Sequence, residues 1–247
     1  KMERLLKRDD FSTASLTSVQ VPEIHLNYSS DDIIAMEYVE GQSPSNIDIS
    51  TISQARRNAL AKTMLELFFK EIFDWGLIQT DPNFGNYLLT LTDSERQTSD
   101  TLTLLDFGSV IELSANEKLH LHNVIFGGLE TDQKRVCEGL IGLKWLNNHS
   151  SDKAQGLFSE FCIHLLEPLQ NPNKLPKEYL NKNGDYRWHN SELMQRAGKK
   201  GAKHSLSLHF TPPPGSFTLI ARKLTGLFTF ISVLEAEFNG YEIATRY

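Results

Sequence analysis

Two stretches decide how this chain reads: Gln79-Thr80-Asp81-Pro82-Asn83-Phe84-Gly85-Asn86 and, further on, Leu104-Leu105-Asp106-Phe107-Gly108. Each is a polar tip on an aliphatic run. Residues 77–79 lead into the first and 87–91 leave it; 102–105 lead into the second, and 92–100 form a polar hairpin tip between the two strands. Chance sets the standard. With 13 Asp and 15 Asn in the chain, about 0.8 pairs of Asp followed five places later by Asn are expected, and Asp185 with Asn190 is one such pair. Asp-Phe-Gly is rarer, at about 0.04 expected occurrences. The weight therefore lies in order and context. Both polar tips stand at strand edges, in this order, downstream of a long apolar helix.

The chemistry of these tips is that of a metal–phosphate site. Mg²⁺ is a hard cation, held by a few protein oxygens together with phosphate oxygens. The Asp106 carboxylate and the Asn86 amide oxygen, on adjacent strand ends, supply such ligands. Asp81, one loop earlier, can orient an attacking hydroxyl or water. An ordinary turn-forming role is the plainer reading for each residue alone; the combination favours the metal site.

Working outward, residues 53–75 predict one helix. Leu60, Met64, Leu67, Phe68, Glu71 and Ile72 recur at three- and four-residue spacing, and Gly76 stands at the C-cap. Its broad apolar face predicts a buried helix lying beneath the 80–86 loop. Upstream, 19–26 and 32–39 read as two strands joined by a turn, 41–50 as a linker, and 2–7 as the end of a helix. Downstream, the pattern after Asp106–Gly108 is helical. Ser114 and Glu117 have capping-box spacing for a helix over 115–129, followed by helices over 132–146, 152–166 and 217–238, with 171–184 a loop. The expected fold class is α+β and helix-rich.

Composition sets outer bounds. The 247 residues make one large domain or two small ones, and 40% hydrophobic with 23% charged residues excludes a disordered chain. A net charge of −6 argues against nucleic acid as a partner. Cys137 and Cys162 form no C-x-x-C and read as inert thiols. Arg222, Lys223, Glu235 and Glu237 interrupt the most apolar stretch, so no membrane span is expected, and the charged start gives no signal peptide. His120 and His122, two apart on a helix, face different ways and make no joint metal site. Glu3 reads as a solvated helix residue. Arg196, Lys199, Lys200 and Lys203 read as a basic run in a solvated loop, in preference to a contact with anionic lipid heads, and Leu206, Leu208 and Phe210 as a short strand or an extended apolar dock.

Catalytic-loop Asp81, Asn86 five residues on, and the Asp106 of Asp-Phe-Gly follow the protein-kinase arrangement. Met36-Glu37-Tyr38-Val39-Glu40-Gly41 then fits a hinge between lobes. Backbone groups of Glu37 and Val39 would meet an adenine edge, and Met36 would line the back of the pocket.

Over nearly its whole length the chain resembles the UbiB-type (AarF-type) atypical kinase family. Val21-Pro22-Glu23-Ile24, the hinge stretch, the two loop stretches, Pro212-Pro213-Pro214 and Arg222-Lys223-Leu224-x-Gly226-Leu227-Phe228 stand in that family's order. The resemblance implies a protein-kinase-like C-lobe with hinge strands and extra C-terminal helices. It implies ATP (or ADP) and Mg²⁺ as cofactors, an ATPase acting in isoprenoid-quinone (ubiquinone) biosynthesis, and quinone-biosynthesis proteins or quinone precursors as partners. It also implies peripheral membrane association: cytoplasmic, on the inner face of a bacterial membrane, or on the mitochondrial matrix side in a eukaryote. Gln79-Thr80 replaces the common His-Ala and is similar to the Gln-Thr-Asp-Pro branch.

The family's strand Lys, its paired helix Glu and its nucleotide loop belong before the hinge, and none is found among the first 35 residues. The expected division is thus 1–41 as a remnant of the N-lobe with the hinge, and 42–247 as C-lobe with a helical extension. The chain reads as the downstream part of something longer, inactive in ATP turnover alone. Two other readings compete: a small-molecule phosphotransferase of the aminoglycoside- or choline-kinase type, and a non-catalytic pseudokinase scaffold.

Overall fold

The computed structural model describes residues 4–6, 17–92, 99–147, 149–205 and 215–247. Helix takes 55% of the chain, and among the described residues the strands are short, so the α+β expectation holds. The centre is α1, Gln54–Phe69. Ser53 caps it, its hydroxyl accepting from the Arg56 backbone N–H at 3.4 Å. Thr63, Met64, Leu65, Leu67, Phe68 and Phe69 are all buried, so the second half of the helix is enclosed on most sides, with Lys62 exposed and Glu66 half-buried. The helix then widens into a π turn over Lys70–Trp75 and ends at Gly76, whose φ of 62° is the left-handed cap.

Four strands after this helix place the two loops. β2 (Leu77–Gln79) pairs antiparallel with β5 (Val110–Glu112), and β3 (Tyr87–Thr90) pairs antiparallel with β4 (Asp100–Leu104). Loop 80–86 runs from β2 to β3, and loop 105–109 runs from β4 to β5. Because the strands at both ends are paired, the loops must lie side by side. β1 (Thr17–Gln20) adds to this sheet by pairing parallel with β4. The hairpin tip is tied from below: Asp100, buried, takes the Arg56 Nε at 2.9 Å and the Thr92 backbone N–H at 3.1 Å.

The rest is helical: α2 (Ala115–Glu130), α3 (Gln133–Gly142), α4 (Asp152–Leu165), α5 (Leu193–Ser205), α6 (Gly215–Val233) and the short α7 (Tyr241–Ala244). The expected capping box is present, with the Ser114 hydroxyl accepting from the Glu117 N–H while Glu117 accepts from the Ser114 N–H at 2.8 Å. α2 and α3 pack closely because Gly139 leaves no side chain; a Cβ there would lie 2.7 Å from the His120 carbonyl.

Several expectations need correction. The strands read over 19–26 and 32–39 reduce to β1 and a single antiparallel bridge, Ile24 with Met36. Pro22 offers no N–H to carry a ladder onward. Residues 110–112 are a strand within a stretch read as helical, since their pairing to β2 outweighs local pattern. α3 stops at Gly142, before Lys144 turns left-handed at φ 59°. The basic run over 196–203 lies in a helix, α5. Its Leu, Met, Gln, Arg, Ala and Lys residues are good helix formers that outweigh Gly198 and Gly201, and Arg196 donates to Glu167 at 3.0 and 2.7 Å and stacks 4.2 Å over Tyr179. Arg196 is therefore committed inside the protein. Glu3 and residues 206–210 lie outside the described residues.

By length and mean hydropathy, 1.2, α6 alone among the described helices could cross a membrane. Yet Ile220, Lys223, Leu224, Leu227, Phe228, Phe230 and Ile231 face the protein interior. Its charges do not merely interrupt an apolar run, because Lys223 is part of the core.

Candidate functional site

Both edges of the paired loops are pinned by backbone bonds. Thr80 N–H donates to the Ser109 carbonyl at 2.8 Å, and Leu105 N–H donates to the Asn86 carbonyl at 2.9 Å. Asn86 and Asp106 thus leave neighbouring backbone positions. Within the first loop, the Asn86 amide donates to the Asp81 carbonyl at 3.1 Å and to its carboxylate Oδ2 at 2.9 Å. This turns the Asn86 oxygen away from Asp81 and leaves it with lone pairs to give. Asp106 is exposed, and its Oδ1 accepts the Gly108 N–H at 2.7 Å, leaving Oδ2 free of that turn.

The expected hinge residues 36–41 join this region through Glu40 and Gln42, which are bonded to β3. Glu37 N–H donates to the Glu23 carbonyl at 2.8 Å, which fixes the segment against 23–25. Its carbonyl and the backbone groups of Val39 have no partner among the described residues. Met36 is 42% exposed. The chain then runs along β3: Gln42 and Leu89 exchange backbone bonds of 3.0 and 2.8 Å, and Thr90 Oγ1 donates to the Glu40 carbonyl at 2.7 Å. Gly41 eases this close approach, since a Cβ would stand 3.0 Å from the Leu88 Cβ. Ser43 Oγ reaches the Phe84 carbonyl at 3.2 Å, so the segment that follows Gly41 touches the first loop directly.

Beneath the loops lies a buried polar group that sequence reasoning missed. Lys223 of α6 sits 3.0 Å from Glu71 in the π turn, both almost fully enclosed. Burial pushes the Glu71 carboxyl up against the pull of Lys223. Burial also works against the charge of Lys223, yet Glu71 and then Tyr87 hold it above the ordinary lysine value. Lys223 donates to the Gln79 Oε1 at 3.3 Å, and Gln79 Nε2 donates to the Asp81 carbonyl at 2.6 Å and the Asp106 carbonyl at 3.4 Å. Arg222, next in the chain, donates from Nε to the Thr80 carbonyl at 2.9 Å. The signal available in sequence was a pair of opposite charges, each on an otherwise apolar helix face.

Among the described residues no group of three or more His, Cys, Asp or Glu side chains gathers into a metal centre. The donors present, an amide oxygen and one carboxylate, suit a hard cation that takes its remaining oxygens from phosphate and water. His122 stacks on Phe126 with ring centres 4.1 Å apart. Burial pushes the Cys162 thiol up to about 12, in keeping with an inert group.

A family model for the ABC1 atypical kinase-like domain matches residues 4–140. Among curated proteins, the chain is 24% identical over 226 residues to the probable serine/threonine-protein kinase abkA of Dictyostelium discoideum, covering 91% of this chain and 38% of that one. It is 26% identical to the mitochondrial atypical kinase coq-8 of Caenorhabditis elegans, covering 94% and 29%. With the mitochondrial atypical kinase COQ8 of Saccharomyces cerevisiae it shares 23% identity, covering 97% and 43%. The chain thus spans well under half the length of these relatives. A solved structure, the complex of Rv3197 with erythromycin from Mycobacterium tuberculosis, matches in fold with a TM-score of 0.62 at 16% identity, over 98% of this chain and 54% of that one.

Proposed function

Because this chain belongs to the ABC1 atypical kinase-like family, we propose that the paired loops and the hinge strand form a nucleotide site for phosphoryl-transfer chemistry. The observation that carries the reading is the pairing of loop 80–86 with loop 105–109, with residues 40–43 bonded alongside β3 and Phe84, which puts Asn86 Oδ1, Asp106 Oδ2 and the Asp81 carboxylate on two adjacent loops. Glu37 and Val39 would present backbone groups to adenine, with Met36 beside them. Asn86 and Asp106 would hold Mg²⁺, which supplies charge neutralisation on phosphate when bound. Asp81, oriented by Asn86, would receive a proton from an attacking hydroxyl or water. In this reading 1–41 carries hinge and lobe remnant, and 42–247 the catalytic lobe.

Names of relatives extend the proposal. An atypical kinase named coq-8 or COQ8 and placed in mitochondria supports an ATPase role in isoprenoid-quinone biosynthesis, at the matrix face if the source is a eukaryote. Phosphoryl transfer also needs cations over the phosphates. Lys223 is unsuited to that task, being enclosed below the loop and committed to Glu71 and Gln79. We therefore expect this chain to bind Mg-ADP and Mg-ATP while turning ATP over very slowly.

Titration calorimetry of the 247-residue chain with ADP, with and without Mg²⁺, tests the reading. Binding should require Mg²⁺ and should weaken at least about tenfold in Asp106→Asn, the loss of a charged ligand contact. Nucleotide binding indifferent to both Mg²⁺ and Asp106 would favour a non-catalytic scaffold. ATP hydrolysis by this chain that Asp106→Asn abolishes would refute the slow-turnover expectation.

A further inference from the structure

One face of α6 touches the first loop at consecutive points. Arg222 holds the Thr80 carbonyl at 2.9 Å, and Lys223 holds the Gln79 side chain at 3.3 Å. One turn on, Gly226 lies so close to Pro82 that an added Cβ would come within 2.3 Å of its ring. Residues 222 and 226 share a face by their spacing of four. The loop that carries Asp81 and Asn86 is therefore seated on this helix.

The polarity of the contact follows from chemistry. Lysine only donates, and the carbonyls of Asp81 and Asp106 only accept. Gln79 lies between them and has one acceptor and one donor end. Its oxygen must therefore face Lys223, and its amide nitrogen must face the two carbonyls. Rotating the amide by half a turn would set its oxygen against both carbonyls and leave the ammonium facing an NH₂ group. Lys223 thus dictates which way Gln79 points. Among the described residues, Gln79 is the one side chain that bonds the backbones of both acidic residues, at 2.6 and 3.4 Å. Glu71 completes the unit, balancing the ammonium at 3.0 Å and accepting the Gln79 backbone N–H.

We propose that Lys223, together with Arg222, is a positioning element: it fixes the amide of Gln79 and thereby the mutual placement of Asp81 and Asp106. The role for nucleotide rests on the site reading above, but the mechanical claim does not, so the two can fail separately. A role confined to general stability would act on the whole core. The positioning role acts on two loops.

Hydrogen exchange of the full 247-residue chain, without nucleotide, separates these cases. The decisive variant is the double substitution Glu71→Leu with Lys223→Met, because replacing a buried ion pair by apolar groups of similar volume commonly leaves stability unharmed. Exchange at 79–86 and 105–109 should rise by about tenfold, as the loss of one net hydrogen bond gives, while α2 and α3 keep their protection. Unchanged loops, or loops rising only in step with α2 and α3, overturn the proposal. If the double variant does not fold, Arg222→Gln decides; its side chain is exposed, and the same loop-selective rise at 79–86 is expected. Mg-ADP titration then reads the link to function. Both variants should lose about tenfold in affinity with Mg²⁺ dependence kept, since the same hydrogen-bond loss precedes binding. If wild type binds no Mg-ADP, the nucleotide reading falls while the exchange result still judges the positioning role.

Discussion

Leu67 lines a small cleft with Met64, Pro82, Phe84 and Phe230, directly under the first loop, and is only 2% exposed. It joins the central helix to the candidate site through packing alone. Leu67→Ala should lower unfolding free energy by about 2–5 kcal/mol, the range for a large-to-small change in a core that cannot fully collapse. Urea denaturation measures it, and a loss under about 0.5 kcal/mol would place the side chain on a surface instead. This residue was legible from spacing, as was its position beneath the loop. The placement of Asp81, Asn86 and Asp106 on two loops between paired strands was legible from order and context. Lys223 was not, although it was in view. A charge on an apolar helix reads as an interruption until its partner, Glu71, is known, and that partner lies 152 residues away.

At the scale of elements, the long apolar helix, the loop–strand alternation and the capping box could be read because their causes are local. α5 was missed because its charges and its two glycines, Gly198 and Gly201, mask residues that favour helix, and its anchor is distant: Arg196 reaches back to Glu167, which also accepts from the Tyr186 hydroxyl at 2.7 Å. Burial works to raise the Glu167 carboxyl, but Arg196 and Tyr186 outweigh it and hold it below the ordinary value of 4.5. A carboxyl lowered on folding stabilises the fold above its unfolded value and loses that contribution as pH falls through the folded one. Stability should therefore drop below pH 4.5, and Glu167→Gln should flatten that part of the drop while costing about 1.5–3 kcal/mol near neutrality. Urea midpoints across that range check it; an unchanged acid slope in the variant would show that other carboxyls govern the transition.

For the whole molecule, α6 poses the sharpest question. Its length and hydropathy would let it cross a membrane, whereas its inward face is committed to α1 and the first loop. A spanning helix would have to withdraw Lys223 from Glu71 and place a charge in hydrocarbon. Any membrane contact of this chain should be peripheral, so an alkaline carbonate wash should release it from vesicles. Retention in the washed pellet would mean that α6 leaves the core. The Arg222–Thr80 bond also sets a schedule during synthesis. The two residues are 142 positions apart, so at roughly 5–20 residues per second the loop leaves the ribosome about 7–28 s before the helix that seats it. For that interval the nascent polypeptide exposes the apolar underside of its loop, around Pro82 and Phe84, to whatever chaperone stands at the tunnel exit.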